Sequence, residues 1–314
     1  MISRRLIRIK ALQALYAYKK SEEPNFVHYY KEYEHSLQKT YEQYCMFFLL
    51  LTELKHFAFV RIDQIKNRVI KNEDEWRFLL PFANNTVLTQ LEQNKMLQKC
   101  ALDYKLSWNA GQSGLIREVF NYIVESDWYK TYAEGEGSYE NDKKFVRSVL
   151  SKVVYNTENV YSFFEDCSIY WNDEDEYILS MVEKTIRSFN ENNPQGGELM
   201  PLYKDKDIQS FARNIFTETI NNWTAYNVYI AAALKNWEQE RIAEIDSILM
   251  QMAVTEAIQY AEIPIAVTLN EYIEIAKLYS TDKSSIFING ILHGVFSALQ
   301  RQNIIVKKGR GLIK

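Results

Sequence analysis

Glycine and proline are scarce in this sequence, and their scarcity limits the folds that it can adopt. The 314 residues include only 10 glycines and 5 prolines. Sandwiches and barrels of many short strands need frequent turn signals, and glycine and proline supply most of them. Hydrophobic residues make up 47% of the chain and charged residues 25%, which is typical of a globular protein. The sequence therefore predicts an all-α protein of long helices with few connections.

The cysteine pattern and the lack of a long apolar run indicate the compartment. Cys45, Cys100 and Cys167 lie far apart, without a CxxC pair, and fit neither a disulfide framework nor a zinc cluster. The most apolar stretch, 46–51, is shorter than the roughly 20 residues of a membrane span. The basic amino end lacks the unbroken apolar core of a signal peptide. We expect a cytoplasmic protein with three separate thiols and no membrane contact.

Positive charge is concentrated at the two ends of the chain. Residues 1–20 carry six basic residues and no acid, and residues 301–314 carry five basic residues and no acid. The other residues hold 26 basic side chains and all 41 acids, a balance of −15. Basic ends attract polyanions, because each phosphate contact releases counterions from a nucleic acid. The same ends are equally consistent with solubilising, partly frayed termini.

The first predicted helix, residues 4–20, has two different faces. At 100° per residue the small and apolar side chains share one stripe, which is expected to be buried: Ile7, Ala11, Ala14, Leu15 and Tyr18. The opposite face carries Arg5, Ile9, Gln13, Tyr16 and Lys20. Cationic, amide and aromatic groups together suit contact with phosphates and bases. Alternatively, Ile9 and Tyr16 pack on a second helix.

Turn signals divide the rest of the chain. The predicted helices cover about 27–72, 87–105, 116–131, 145–153, 160–164, 175–189, 205–234, 237–260, 268–279 and 284–302. Pro81 with Asn84 and Asn85 is predicted to break a helix, Gly111–Gly114 to form a turn, and Thr268 with Glu271 to form a capping box. Glycine, proline and asparagine cluster at 190–201. We predict an amino-terminal helical domain at 1–200, a carboxyl-terminal helical domain at 201–304 and a basic tail at 305–314.

Catalytic and metal-binding patterns find little support in the sequence. There is no P-loop, no HExxH and no histidine pair at i, i+4. His28 and His35 are one heptad apart, a spacing that is more often found in packed or surface residues than in metal ligands. We expect no enzymatic activity, no catalytic residue, no metal and no cofactor.

Several short motifs together resemble the NusB family of bacterial antitermination factors. Arg4-Arg5 followed by ALQALY at 11–16 is similar to that family's arginine-rich first helix. In the carboxyl half, the similar segments occur in the family's order and spacing: WEQERIAEID at 237–246, Met252-Ala253 with Glu256, Ile263-Pro264, LNEYIEIAK at 269–277, YSTDK at 279–283 and FINGIL at 287–292. The resemblance covers about 1–20 and 205–300.

The resemblance implies an all-helical, non-enzymatic RNA-binding protein of two helical bundles. Such proteins pair with NusE, a small-subunit ribosomal protein, bind the single-stranded boxA element of ribosomal RNA leaders, and join the RNA polymerase antitermination complex. Some relatives self-associate through the surface used for NusE, so a homodimer is an open alternative. The residues that the resemblance assigns to RNA contact are Arg4, Arg5, Arg8, Gln13, Tyr16, Glu256, Lys283, Ser284, Phe287 and Asn289.

Two departures from the family pattern leave other functions open. Ile286 occupies a position where the family commonly has lysine, so one phosphate contact is lost. Residues 21–200 have no counterpart in a short NusB and are interpreted as a helical elaboration of the amino-terminal bundle, suited to packing and protein contacts. The alternatives are an RNA-processing accessory module, or a protein-interaction scaffold with weak or no RNA binding.

Overall fold

Helices form all the regular secondary structure of the residues described by the computed structural model, which are 1–69, 72–108, 113–154, 157–172, 174–234 and 242–312. No strand occurs among these residues, and the predicted all-α class is confirmed. None of the helices in these ranges is long and apolar enough to cross a bilayer. The predicted helix start at 237 and the first residues of the Gly111–Gly114 turn lie outside the described residues.

The helices follow one another with short connections. In chain order they are α1 (Arg4–Lys20), α2 (Phe26–Lys66), α3 (Glu73–Ala83), α4 (Thr86–Glu92), α5 (Lys95–Tyr104), α6 (Ser113–Glu125), α7 (Asp127–Ala133), α8 (Tyr139–Lys152), α9 (Glu158–Cys167), α10 (Asp175–Ser188), α11 (Lys206–Asn221), α12 (Trp223–Ala233), α13 (Glu244–Gln259), α14 (Ile265–Tyr279) and α15 (Ser284–Arg301). A 3₁₀ helix, Gly309–Leu312, follows α15. The first predicted helix matches α1 at both ends.

The chain divides into two compact units. Unit 1 contains Met1 and Gln38–Leu202, and unit 2 contains Ile2–Leu37 and Tyr203–Lys314. Apart from the change after Met1, the chain changes unit inside α2 and again beside the turn-rich segment at 190–201. Residues 2–37 therefore belong to the same unit as the carboxyl-terminal helices, whereas the predicted amino-terminal domain, 1–200, includes them. The domain limits at 200 and 304 stay predictions.

Unit 2 is built around α13. All residues from Ile248 to Ala257 are buried, because α1, α11, α12, α14 and α15 all pack against this helix. A helix that is buried on every side must bring its polar groups to partners. The partners of two such groups, Asp246 and Glu256, shape the candidate site described below.

Aromatic side chains form much of the core of unit 1. The Tyr132 and Phe145 rings stack with centroids 4.2 Å apart, and Phe145 also contacts Phe82 and Tyr129 edge-on or tilted. Trp171 donates its indole N–H to the carbonyl of Lys39 over 2.7 Å. The richness in tyrosine, phenylalanine and tryptophan thus serves mainly core packing in this unit, since such rings bury large areas.

The expectation of three separate cysteines is wrong. Cys45 on α2 and Cys100 on α5 form a disulfide that links positions 55 residues apart. Both side chains are buried in the core of unit 1. Sequence spacing could not indicate the pair, because the two sulfurs meet only when α5 packs on α2. Cys167 is free and exposed.

Three local predictions also need correction. Pro81 lies inside α3, two residues before its end, and does not break the helix, while Asn84 and Asn85 cap adjacent helix ends. The predicted helix at 205–234 is two helices, which divide at Asn222. Thr268 and Glu271 do not form a capping box, since α14 already begins at Ile265 after Pro264.

Candidate nucleic-acid interface

The first helix presents the predicted two faces. Ser3 caps α1 by accepting a hydrogen bond from the Leu6 N–H, 3.2 Å. Ile7, Ala11 and Leu15 are fully buried against the helices of unit 2. On the other side Arg5, Gln13 and Tyr16 are exposed, with 39% of Tyr16 accessible. Tyr16 is thus partly open to contact, while Ile9 is half-buried.

Arg8 faces inward and forms a buried ion pair with Glu256 of α13. Its Nε and one terminal nitrogen each lie 2.7 Å from a carboxylate oxygen of Glu256, and only 2% of the arginine is exposed. Burial by itself would lower the pKa of Arg8, but the charge and hydrogen bonds of Glu256 outweigh burial and raise it. Arg8 is thus a fixed cation inside the unit.

The Glu256 carboxylate has a complete set of donors. Besides Arg8 it accepts hydrogen bonds from Thr268 Oγ1 at 2.8 Å and from Tyr272 Oη at 3.2 Å. Burial, followed by the Glu256 charge, raises the pKa of Tyr272 well above its usual value, so the phenol stays a donor. The Arg8 guanidinium also lies over the rings of Phe211 and Tyr272, 5.3 and 5.7 Å from their centroids. This network joins α1, α11, α13 and α14.

Arg5 and Arg4 have different surroundings from Arg8. Arg5 forms a forked pair with Glu271 of α14, 2.9 and 2.8 Å, and 48% of its side chain remains exposed. Glu271 also accepts a 3.2 Å hydrogen bond from Arg8. Arg4 lies over the Phe211 ring, 5.7 Å from its centroid, and among the described residues it has no carboxylate partner.

The turn before α15 is held by a buried carboxylate. Asp246, in the first turn of α13, accepts hydrogen bonds from the hydroxyls of Ser280 and Ser284 at 2.6 and 2.8 Å. Ser284 is consequently only 3% exposed. Around this turn Lys283 and Asn289 are exposed and Phe287 is half-buried. Ile286, the departure from the family pattern, is 76% exposed.

The exposed face of α1 and the start of α15 are both tied to the first turn of α13. Lys20 at the end of α1 pairs with Glu244 of α13 over 3.0 Å, and Glu244 is two residues before Asp246. At the other end of α13, Glu256 holds Arg8. Hence α1 runs antiparallel to α13, and its carboxyl-terminal half, with Tyr16, lies at the same end of α13 as Lys283.

The structure separates the ten predicted contact residues into two groups. Seven reach the surface at least in part: Arg4, Arg5, Gln13, Tyr16, Lys283, Phe287 and Asn289. Arg8, Glu256 and Ser284 are buried and engaged with protein groups, so in this structure they hold the helices that carry the exposed residues, and their RNA contact stays a prediction. On the helix circumference Arg8 lies between Leu12 and Leu15, a signal of burial present in the sequence. Thr268, Glu271, Tyr272 and Asp246 were not predicted as parts of the site.

Metal binding finds no geometric support in the described part of the chain. Within it, no group of three or more histidine, cysteine or acidic side chains is placed to hold a metal ion.

The fold and the site together define a helical protein whose first helix exposes cationic, amide and aromatic groups. The model of the NusB family matches residues 177–297. The transcription antitermination protein NusB of Salinibacter ruber is 40% identical over 114 residues, which are 36% of this chain and 71% of that protein. This chain belongs to the NusB family, as a long form.

Two further relatives agree with this assignment. The transcription antitermination protein NusB of Chloroherpeton thalassium is 40% identical over 109 residues, 35% of this chain and 52% of that protein. The protein of the same name from Thermodesulfovibrio yellowstonii is 32% identical over 135 residues, 43% of this chain and 85% of that protein. No solved structure matches the chain. The matched range 177–297 contains α11 to α14 and most of α15, whereas α1 lies outside it.

Proposed function

We propose that this protein is a cytoplasmic, RNA-binding transcription antitermination factor. It binds single-stranded boxA-type leader RNA of ribosomal RNA operons together with NusE, and acts within the RNA polymerase antitermination complex. The observation that carries the proposal is the attachment of the exposed face of α1 and the start of α15 to one turn of α13. The names of the relatives support the same role.

The exposed groups fit the chemistry of a single strand. Arg4, Arg5 and Lys283 supply positive charge for phosphates, while Tyr16 and Phe287 offer rings on which unpaired bases stack. Gln13 and Asn289 supply amides for base edges. Glu271 and Glu274 lie near Arg5, so an RNA phosphate competes there with a carboxylate. The buried pairs of Arg8 and Asp246 keep these surfaces in place.

A binding titration with a matched control tests the proposal. Labelled boxA leader RNA and a scrambled RNA are titrated with the protein, alone and with NusE, at two salt concentrations. Tyr16→Ala removes one stacking ring, which is worth about 1–3 kcal/mol, or roughly 5- to 150-fold in affinity. Tyr122→Ala removes a tyrosine that is 58% exposed in unit 1 and is expected to change nothing. Equal binding of both RNAs, or equal loss in both variants, contradicts the proposal.

A scaffold function is the second candidate, because Ile286 and Leu278 are 76% and 72% exposed. Large exposed apolar side chains favour a protein contact over a phosphate contact. In that case NusE binds and neither RNA does, and Arg5→Ala leaves the assembly intact.

A further inference from the structure

The segment after α15 is folded against unit 2 and is not frayed. Asn303 adopts a left-handed backbone with φ of +55°, which ends α15 in the manner of a left-handed cap. The N–H groups of Ile304 and Ile305 both donate to the Leu299 carbonyl, and Ile305 is only 5% exposed. The chain is therefore turned back at a fixed point.

Hydrogen bonds dock this segment on the turn that follows α13. The Lys308 N–H donates to the Ala261 carbonyl over 3.0 Å, and the Arg310 N–H donates to Glu262 Oε2 over 3.2 Å. Lys307 Nζ donates to the Tyr260 carbonyl over 3.0 Å. A Cβ added to Gly311 would lie 1.9 Å from the Ala261 oxygen, so the close approach requires glycine. We name residues 305–312 the docked tail.

The docked tail brings its cations to the end of unit 2 where Arg4 lies. Arg4 packs on Phe211, and the Phe211 ring lies 4.9 Å from the Tyr260 ring, next to the carbonyl that holds Lys307. Burial and the charges of Glu256 and Glu218 raise the pKa of Tyr260, and the charge of Arg4 opposes that rise. Arg4 and the docked tail thus both lie near Tyr260, at the same end of α13.

These cations lack anionic partners. Among the described residues, no carboxylate pairs with Arg4, Lys307, Lys308 or Arg310, whereas Arg5 and Arg8 are both paired. Arg4 Nε and Tyr260 Oη are buried without a hydrogen-bond partner. Burial lowers the pKa of Lys307 to about 8. Of the nearby acids, Glu256 is held by Arg8, while Glu262 accepts one N–H of the tail and keeps its negative charge beside these cations.

We propose that Lys307, Lys308 and Arg310 form a second anion site, which continues from Arg4 at the end of the first site and binds the sugar-phosphate backbone of the RNA strand outside the element held by α1 and α15. This inference rests on the proposed function. The 16 residues of α13 span about 24 Å, and they separate this site from the turn before α15. A strand that reaches both places follows α1. The tail lies beyond the matched range 177–297.

The test compares RNAs of different length on the full-length protein. The RNAs are the boxA element alone and the element extended by about eight nucleotides on its 5′ side or its 3′ side. The wild type is expected to bind one extended RNA more tightly than the element alone. The variant Lys307→Gln/Lys308→Gln/Arg310→Gln is expected to keep the affinity for the element alone. It should lose the gain, which is the additional affinity that the wild type has for the extended RNA. For this variant, the plot of the logarithm of the binding constant against the logarithm of the salt concentration should be less steep by about 2. Each phosphate contact with a single strand contributes about 0.7 to the steepness, and the variant removes three cations.

Two controls separate the site from general effects. Lys31→Gln/Lys99→Gln/Lys184→Gln removes three exposed lysines elsewhere and is expected to keep the gain from the extension. Gly311→Ala leaves every charge in place but displaces the docked tail, so it should lose the gain. Gly290→Ala, where an added Cβ meets no atom within 4 Å, should keep it.

Each outcome decides between the two proposals. If the element binds selectively but neither extension adds affinity, or the tail variant keeps the gain, the second site is refuted and the proposed function stands. If the tail variant weakens only NusE binding, the site takes an acidic protein segment and the RNA assignment is overturned. If no RNA binds the wild type, both proposals fail.

Discussion

Replacing Arg8 with methionine is expected to destabilise unit 2 far more than the same change at Arg5. Methionine keeps an unbranched aliphatic side chain but leaves the fully buried Glu256 carboxylate without a counter-ion. Thr268 and Tyr272 still donate to it, but neither carries charge.

The magnitude follows from burial. Breaking a buried ion pair by removing one partner costs about 3–5 kcal/mol. We take this range to include the energy lost with the contacts between Arg8 and the rings of Phe211 and Tyr272. Arg5 pairs with Glu271 at the surface, where such a pair is worth about 0–1 kcal/mol. We therefore expect Arg8→Met to cost about 3–5 kcal/mol and Arg5→Met less than about 1.

Hydrogen exchange in α1 and α13, measured by mass spectrometry across a urea series, gives the opening free energy of unit 2 without interference from unit 1. Lowering the pH should narrow the difference between Arg8→Met and the wild type, because the unpaired carboxylate can then take up a proton. Equal costs for Arg5→Met and Arg8→Met, or a difference that widens at low pH, would refute the reasoning.

Three further predictions concern stability. Burial, followed by Glu165 and Glu174, raises the pKa of Asp175 to about 7. The folded state therefore keeps a proton that the unfolded state releases near pH 4, so the stability of unit 1 falls as the pH rises from about 4 to 7. Asp175→Asn should flatten this dependence in urea unfolding followed by tryptophan fluorescence. Reducing the Cys45–Cys100 disulfide, which closes a loop across 55 positions, should lower the unfolding free energy of unit 1 by about 4 kcal/mol at most; no shift in the urea midpoint would contradict this. Gly290→Ala should stabilise α15 by about 0.5–1 kcal/mol, because its Cβ enters open space, and a lower melting temperature would show that the glycine is required.

The sequence predicted α1 well because its signals are local. The stripe of Ile7, Ala11 and Leu15 and the cap at Ser3 are complete within 17 residues, and packing did not override them. In contrast, nothing in the sequence indicates that the compact units divide after Leu37, since the helical pattern of α2 does not change there.

For the candidate site, helix periodicity predicts which side chains are exposed, but it does not predict the partners of the polar ones. Thr268 and Glu271 have the spacing of a capping box, but their partners are Glu256 and two arginines far away in sequence. Such long-range polar pairs leave no periodic signal. The position of Arg8 between Leu12 and Leu15 on the helix circumference was a local sign of the buried network.

The discontinuity of unit 2 constrains the order in which the protein can fold during its synthesis. The apolar stripe of α1 is made before the helices that pack on it, α11 and α13, which come after residue 203. At about 5–20 residues per second, the roughly 240 positions between the ends of α1 and α13 take on the order of 12–48 s. Unit 1 can complete itself during that time, while α1 stays uncovered. The nascent chain therefore has a long interval in which a chaperone can hold its first helix.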